Sequence, residues 1–355
     1  MTCRRMAMAL AALLATAVPA MAETPGERAG RQAVVNERIF GDTHEPWPER
    51  RTAFPGGVTG LADLTYSTVP GYRPLQLDLY LPAQGSGPRP LLIYVHGGGW
   101  MGGGRRLSAA FANWPGVLAS IAAEGFVVAS ISYRLAGEAP FPAAIHDTKN
   151  AIRWLRASAE RFGIDGARVG IWGASAGGQL AALAATSCGV EALAPPIIAP
   201  RLNPNVEQPV VPPPNLAAQS DCVQAAAIWY GVFDFTMLNR PEPGASSVQE
   251  HPYLGCGAGR CPEERLRAPS PAAYVQRGAP PFLVIHGDAD RTVAVAQSRT
   301  FHAKLQEAGI AAELVVLPGI DHSYIGRSAE ETRETSRRML ARTVDFFATT
   351  LGAGR

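Results

Sequence analysis

Short apolar runs alternate with amphipathic stretches along most of the chain, and this alternation constrains the fold more than any other feature. Residues 91–95 are continuously apolar, as a strand buried on both faces of a parallel sheet reads. Residues 126–132 read the same way. Residues 75–81 alternate apolar and polar, the pattern of a half-buried strand. Further strand patterns lie at 168–172, 225–230, 282–285 and 312–317. Helical patterns fall between them at 107–123, 141–162, 175–186 and 294–308, and residues 329–350 form a closing helix. In the second of these, Ile145, Ile152, Leu155 and Phe162 supply the apolar positions. Strands alternating with helices predict an α/β fold, with a mostly parallel central sheet joined by crossover helices. Such sheets place their chemistry in the loops at the carboxyl ends of the strands.

With 47% hydrophobic and 17% charged residues, a chain of 355 can bury a large single core. The expected organisation is a leader over residues 1–22, an irregular arm over 23–60 rich in Pro, Gly and Arg, and one domain over 61–355. The leader reading rests on Arg4 and Arg5, the apolar run 6–18 and the small-x-small end Ala20-Met21-Ala22. It predicts export by the general secretory route, to the periplasm or beyond. Two irregular insertions interrupt the domain, at 189–221, which holds eight prolines, and at 235–279. Long loops of this kind serve as substrate walls or as surface padding.

Without residues 1–22 the 32 basic residues fall to 30, matching the 30 acidic ones. A neutral chain attracts no polyanion, so nucleic acid is not an expected partner. No other stretch approaches the apolar length of a membrane span. Cys3 leaves with the leader, and Cys188, Cys222, Cys256 and Cys261 remain. An even count in an oxidising compartment predicts two disulfides, with three possible pairings. Cys256 and Cys261 are close enough in sequence to close easily, which pairs Cys188 with Cys222. No metal-binding spacing of Cys or His is present, and no metal or organic cofactor is expected.

The chemistry begins at Gly173-Ala174-Ser175-Ala176-Gly177, set between the strand at 168–172 and the helix that follows. A serine exposed on a tight strand-to-helix turn needs small neighbours, and every flanking residue here is Gly or Ala, with Gly178 extending the run. The helix N-terminus aims N–H groups at developing negative charge. His96-Gly97-Gly98-Gly99-Trp100 follows the strand ending at Val95. Glycine lets the main chain approach a substrate oxygen, so the N–H groups of Gly98, Gly99 and Ala176 are the expected oxyanion donors. His96 is expected to bond the loop rather than act as a base. A serine nucleophile needs a base and an orienting acid, in the chain order Ser, acid, His on such a fold. Of His286, His302 and His322, only His322 lies in a loop after the last strand, and it is the expected base. Asp288 and Asp290 both follow the preceding strand as candidate acids, and Asp321 is too close in sequence to His322 to face its ring easily.

These segments resemble the α/β-hydrolase superfamily. They resemble in particular its bacterial esterase branch, which holds hormone-sensitive-lipase-like esterases and feruloyl and acetyl-xylan esterase-like enzymes. The resemblance spans roughly residues 60–350 and is carried by 96–100, 173–178, 286–295 and 319–324, with the stretch 254–271 resembling the second group. It implies the α/β-hydrolase fold, with the two insertions lying after the nucleophile helix and before the acid-bearing strand. It also implies that the second Asp of Gly-Asp-x-Asp, Asp290, is the acid. Asp147, in a further matching segment, is expected to be structural. The proline-rich stretch 195–214 departs from the pattern, and the shape of the pocket is the property it bears on. Trp100, Tyr133 and Tyr324 are candidates for lining the substrate pocket, with core packing as the alternative for each. The expected activity is hydrolysis of short-chain or aryl carboxylic esters, free or linked to polysaccharide, through an acyl-enzyme. An arylformamidase-like amidase and a non-catalytic binding protein on the same fold are the rivals.

Overall fold

A computed structural model describes residues 50–83, 85, 87–108, 111–196, 215–239, 252–256 and 261–352. The expected leader, the arm as far as residue 49 and most of the proline-rich insertion lie outside the described residues.

The strands are β1 (Arg50–Phe54), β2 (Val58–Ser67), β3 (Leu75–Leu81), β4 (Arg89–Val95), β5 (Val127–Ile131), β6 (Ile164–Ala174), β7 (Ala225–Trp229), β8 (Phe282–Gly287) and β9 (Ala312–Leu317). They form one sheet in the order β1-β2-β3-β5-β4-β6-β7-β8-β9. From β5 to β9 all neighbours are parallel, while β1, β2 and β3 add an antiparallel edge. The helices are α1 (Trp114–Ala123), α2 (Ala143–Ala157), α3 (Ala159–Phe162), α4 (Ala176–Thr186), α5 (Glu263–Arg267), α6 (Ala296–Glu307) and α7 (Ala329–Leu351).

Successive side chains of a strand point to opposite faces, so each parallel strand feeds two cores. Leu91, Ile93 and Val95 of β4 join one core with Ile145 and Leu155 of α2, Leu180 and Leu183 of α4, and Phe301 of α6. Leu92 and Tyr94 join the other with Leu118 of α1 and Met339 and Phe347 of α7. Strand β7 divides the same way: Ala226 and Ile228 face the first core, Ala227 and Trp229 the second. This burial on both faces explains why the central strands read as unbroken apolar runs.

Three expectations change in detail. The arm to residue 60 is not irregular throughout: β1 and β2 pair as an antiparallel hairpin, with Thr52 opposite Gly60. Its charged, mostly exposed first strand carries no apolar period for sequence reading to find. The helix placed at 107–123 starts at Trp114, where the Asn113 side chain accepts the Gly116 N–H and a proline occupies the first turn. The helix placed at 141–162 divides at Ser158 into α2 and α3. Both expected disulfides form, Cys188–Cys222 and Cys256–Cys261.

Candidate active site

The carboxyl ends of β4, β6, β8 and β9 lead into the loops that hold the candidate residues. Ser175 sits between β6 and α4 with φ 55° and ψ −121°, a strained conformation for a residue with a side chain. Its N–H donates to the Trp229 carbonyl at 2.9 Å, and its carbonyl accepts the Gln179 N–H at 2.9 Å. The turn is tight because the chain passes close by. A Cβ on Gly177 would overlap the carbonyl oxygens of Val95 and His96 at the end of β4.

The structure brings Ser175, His322 and Asp290 together. The Ser175 hydroxyl lies 3.0 Å from His322 Nε2, and His322 Nδ1 lies 2.7 Å from Asp290 Oδ2. Since Nδ1 faces a carboxylate, it carries the ring proton, which leaves Nε2 free to accept the serine hydrogen. His322 keeps 15% of its side chain exposed, whereas the Asp290 side chain is fully covered. Burial works to raise the Asp290 pKa. Hydrogen bonds from His286 and His322, the charge of His322 and the Val293 N–H outweigh it and hold the carboxyl well below the usual range.

The other candidates are engaged elsewhere. Asp288 accepts the Gly319 N–H at 2.7 Å. Asp321 caps the turn that carries His322, accepting the His322 N–H at 2.7 Å, and pairs with the Arg291 guanidinium at 2.6 Å. His302 reaches the Ala312 carbonyl at 3.2 Å. His286 is fully buried and bonds to Asp290, not to the serine.

The glycine loop lies against the Ser175 turn, where a Cβ on Gly97 would stand 3.4 Å from Ser175 Cβ. Gly98 has φ +120°, and a Cβ there would overlap the Gly102 carbonyl, so only glycine fits. The N–H groups of Met101 and Gly102 both donate to the Gly98 carbonyl, at 3.1 and 3.0 Å, curling the loop. Among the described residues, no protein acceptor takes the N–H of Gly98, Gly99 or Ala176. His96 Nδ1 donates to the Gly97 carbonyl at 2.8 Å, and the ring stacks on Tyr133 with centroids 4.4 Å apart. Burial pushes the His96 imidazole down to about 4, so it is neutral at pH 7.

Trp100, Tyr133 and Tyr324 are core residues rather than pocket walls. Tyr133 is fully buried and donates its hydroxyl to the His96 carbonyl at 2.9 Å. Tyr324 is fully buried against Trp229 and Tyr230. Trp100 is 5% exposed, stacks on Tyr253 at 4.6 Å and donates Nε1 to Gln179 at 2.9 Å. Gln179, Tyr253 and Tyr230 thus support the site without any motif marking them. The Tyr230 ring meets His322 edge-on at 4.7 Å. Five of the six non-glycine residues with positive φ among the described residues lie in the loops after β4, β6, β7 and β9: Trp100, Ser175, Tyr230, Ser323 and Tyr324. Backbone strain gathers where geometry is over-determined, as it does at functional sites. Among the described residues, no group of three His, Cys, Asp or Glu is arranged to hold a metal ion.

The BD-FAE family model matches residues 77–305. Over 307 residues the chain is 33% identical to Esterase LipQ of Mycobacterium tuberculosis, covering 86% of this chain and 64% of that protein. The chain spans less than two thirds of the length of such curated relatives. A solved truncated form of a carbohydrate esterase from gut microbiota aligns with a TM-score of 0.64 at 25% identity, over 86% of this chain and 99% of that one. Propionate-bound esterase 2 of the planctomycete Thermogutta terrifontis aligns at 0.61 and 26% identity, over 83% and 94%. A family match across most of the sheet, on a topology shared with solved esterases, means that this chain belongs to the BD-FAE family and has the α/β-hydrolase fold.

Proposed function

We propose that the protein is a serine carboxylesterase that works through an acyl-enzyme on Ser175. The observation that carries this reading is the unbroken hydrogen-bond chain from the Ser175 hydroxyl through His322 to Asp290. In the first half-reaction Ser175 Oγ attacks the ester carbonyl and His322 Nε2 takes its proton. The negative charge then forming on the carbonyl oxygen faces the N–H groups of Gly98, Gly99 and Ala176. His322 returns the proton to the departing alcohol. In the second half-reaction water, deprotonated by the same imidazole, releases the acid. Asp290 keeps the ring in the required tautomer and stabilises the imidazolium between transfers.

Short-chain and aryl acyl groups are the proposed substrates, with acetyl or feruloyl esters of polysaccharides as the natural class. Support comes from two solved relatives, one a carbohydrate esterase from gut microbiota and one an esterase that holds propionate. The proposed site of action is the periplasm or beyond, supported by the leader pattern and by two disulfides.

The test is hydrolysis of p-nitrophenyl esters from acetate to palmitate by the wild type and Ser175→Ala. The wild type is expected to cleave the short esters, and the variant to lose about 10⁴–10⁶-fold in kcat. Acetylated xylan and methyl ferulate then separate the two polysaccharide-linked classes. Turnover of formanilide without turnover of any ester would replace the reading with an amidase.

A further inference from the structure

Asp290 receives more donors than a serine–histidine–acid chain requires. Its Oδ1 accepts the N–H groups of Thr292 and Val293, both at 2.8 Å. Its Oδ2 accepts His322 Nδ1 at 2.7 Å and a second imidazole, His286 Nε2, at 3.1 Å. Together these four donors fill the roughly four lone-pair positions of a carboxylate. His286 Nε2 also lies 2.8 Å from the Val293 carbonyl, so both of its neighbours are acceptors, it must carry a proton, and that one hydrogen is shared between the carbonyl and Asp290 Oδ2. On the other side of the ring, Nδ1 lies 2.6 Å from Ser298 Oγ and accepts that hydroxyl hydrogen when the ring is neutral. His286 and Ser298 are both fully buried. The first stands on β8 and the second in the first turn of α6, so two elements hold this donor in place.

We infer that His286 is a positioning residue for the reaction: its Nε2–H fixes Asp290 Oδ2 and draws off part of the carboxylate charge that would otherwise act on His322. This inference rests on the reading of Ser175, His322 and Asp290 as nucleophile, base and acid. A carboxylate that shares its charge among four donors grips an imidazolium less tightly than one with a free lone pair. A base gripped too tightly stays protonated near neutral pH and cannot take the serine hydrogen. A Lys or Arg beside Asp290 would also spread its charge, but would add a buried cation next to the imidazolium. Among the described residues no such cation pairs with Asp290. The remaining groups around the chain are accounted for. The Tyr230 ring meets His322 edge-on, Asp321 is paired with Arg291, and Asp288 is bonded to the Gly319 N–H.

The test compares kcat/KM against pH for the wild type, His286→Leu, His286→Gln and Ser298→Ala. Removing the donor is expected to move the acid limb of His286→Leu up by about one pH unit. The loss is then about tenfold on the acid side and recovers at alkaline pH, because one unit of pKa is a factor of ten in the fraction of free base. His286→Gln restores an N–H at this position, and its limb returns toward the wild-type position. Ser298→Ala, which frees the Nδ1 side of the ring, moves the limb in the same direction by less. An unmoved limb with kcat lowered evenly at all pH values would show a purely structural role and overturn the inference. A Gln variant that stays with Leu would overturn it as well. Should His286→Leu fail to fold, Ser298→Ala decides the question on the same criterion. Fluorophosphonate labelling separates the two readings. A wild type that neither labels at Ser175 nor hydrolyses esters defeats the esterase reading, whereas an active, labelled enzyme with unmoved limbs defeats only the role of His286.

Discussion

At the scale of single residues, the site depends on which atoms carry protons. Both nitrogens that face Asp290 Oδ2, His322 Nδ1 and His286 Nε2, are donors. In Asp290→Asn the amide oxygen would stay with the Thr292 and Val293 N–H groups and its NH2 would face both imidazoles, so the His322 ring would have to carry its proton on Nε2, the wrong side for accepting the serine hydrogen. We expect kcat to fall about 10⁴-fold while the fold persists, as steady-state kinetics and circular dichroism would show. His96 makes a different prediction, about stability. Burial lowers its pKa to about 4 in the folded chain. Between the ordinary histidine value of about 6.5 and that value, the unfolded chain binds more protons than the folded one. Stability is therefore complete above about pH 6.5 and falls as the pH drops toward 4. Urea unfolding across this range should show that slope, and a folded His96→Asn variant should show a shallower one.

At the scale of elements, the Ser175 turn and the glycine loop are positioned by close approach as well as by hydrogen bonds. The start of α4 lies against the end of β4, and Gly177 is the contact point. Gly177→Ala would force a Cβ into the Val95 and His96 carbonyls and push the helix away from the loop. Overpacking of this kind costs about 1–3 kcal/mol. The same displacement spoils the alignment of Ser175 with the oxyanion donors. We expect activity to fall more than stability does, read as kcat/KM against the midpoint of chemical denaturation. Gln179 adds a second brace from the same helix. It accepts from Trp100 at 2.9 Å and donates to the Pro269 carbonyl at 2.7 Å, so α4 ties the glycine loop to the segment beyond α5.

At the scale of the whole molecule, two disulfides restrain the insertions unequally. Cys188 and Cys222 are 34 residues apart, and Cys256 and Cys261 only 5. Chain-entropy reasoning assigns about 3–4 kcal/mol to the longer loop and about 2 kcal/mol to the shorter. Replacing Cys188 and Cys222 together with serine should therefore lower the free energy of unfolding more than the corresponding change at Cys256 and Cys261. Equal losses in denaturant titrations would contradict this ordering. The longer bridge closes beside a buried cluster in which Lys149 donates to the Ser187 carbonyl at 2.7 Å and Arg153 pairs with Asp221 at 2.5 Å. Lys149 also pairs with Asp221 at 3.3 Å, so this cluster joins α2 to the segment that carries Cys222.

The sequence by itself determined the class of fold and the order of its elements. Those properties follow from local periodicity: residues 91–95 and 282–285 are apolar throughout because both faces of their strands are covered. It also marked the Ser175 turn, since Gly173, Ala174, Ala176 and Gly177 are the small residues that a strained strand-to-helix turn requires. Only the tertiary structure decided which strands are neighbours, with β4 inserted between β5 and β6, and that β1 and β2 form a hairpin at the edge. It alone decided that His322 faces the serine while His286 turns to the acid, and that Asp290 rather than Asp288 meets the imidazole. It alone buried Tyr133 and Tyr324. The reason is that periodicity reports which face of an element is covered, whereas hydrogen-bond partners and strand neighbours are set by contacts between segments tens or hundreds of residues apart. Ser175 and His322 meet across 147 residues, a separation that no local pattern encodes.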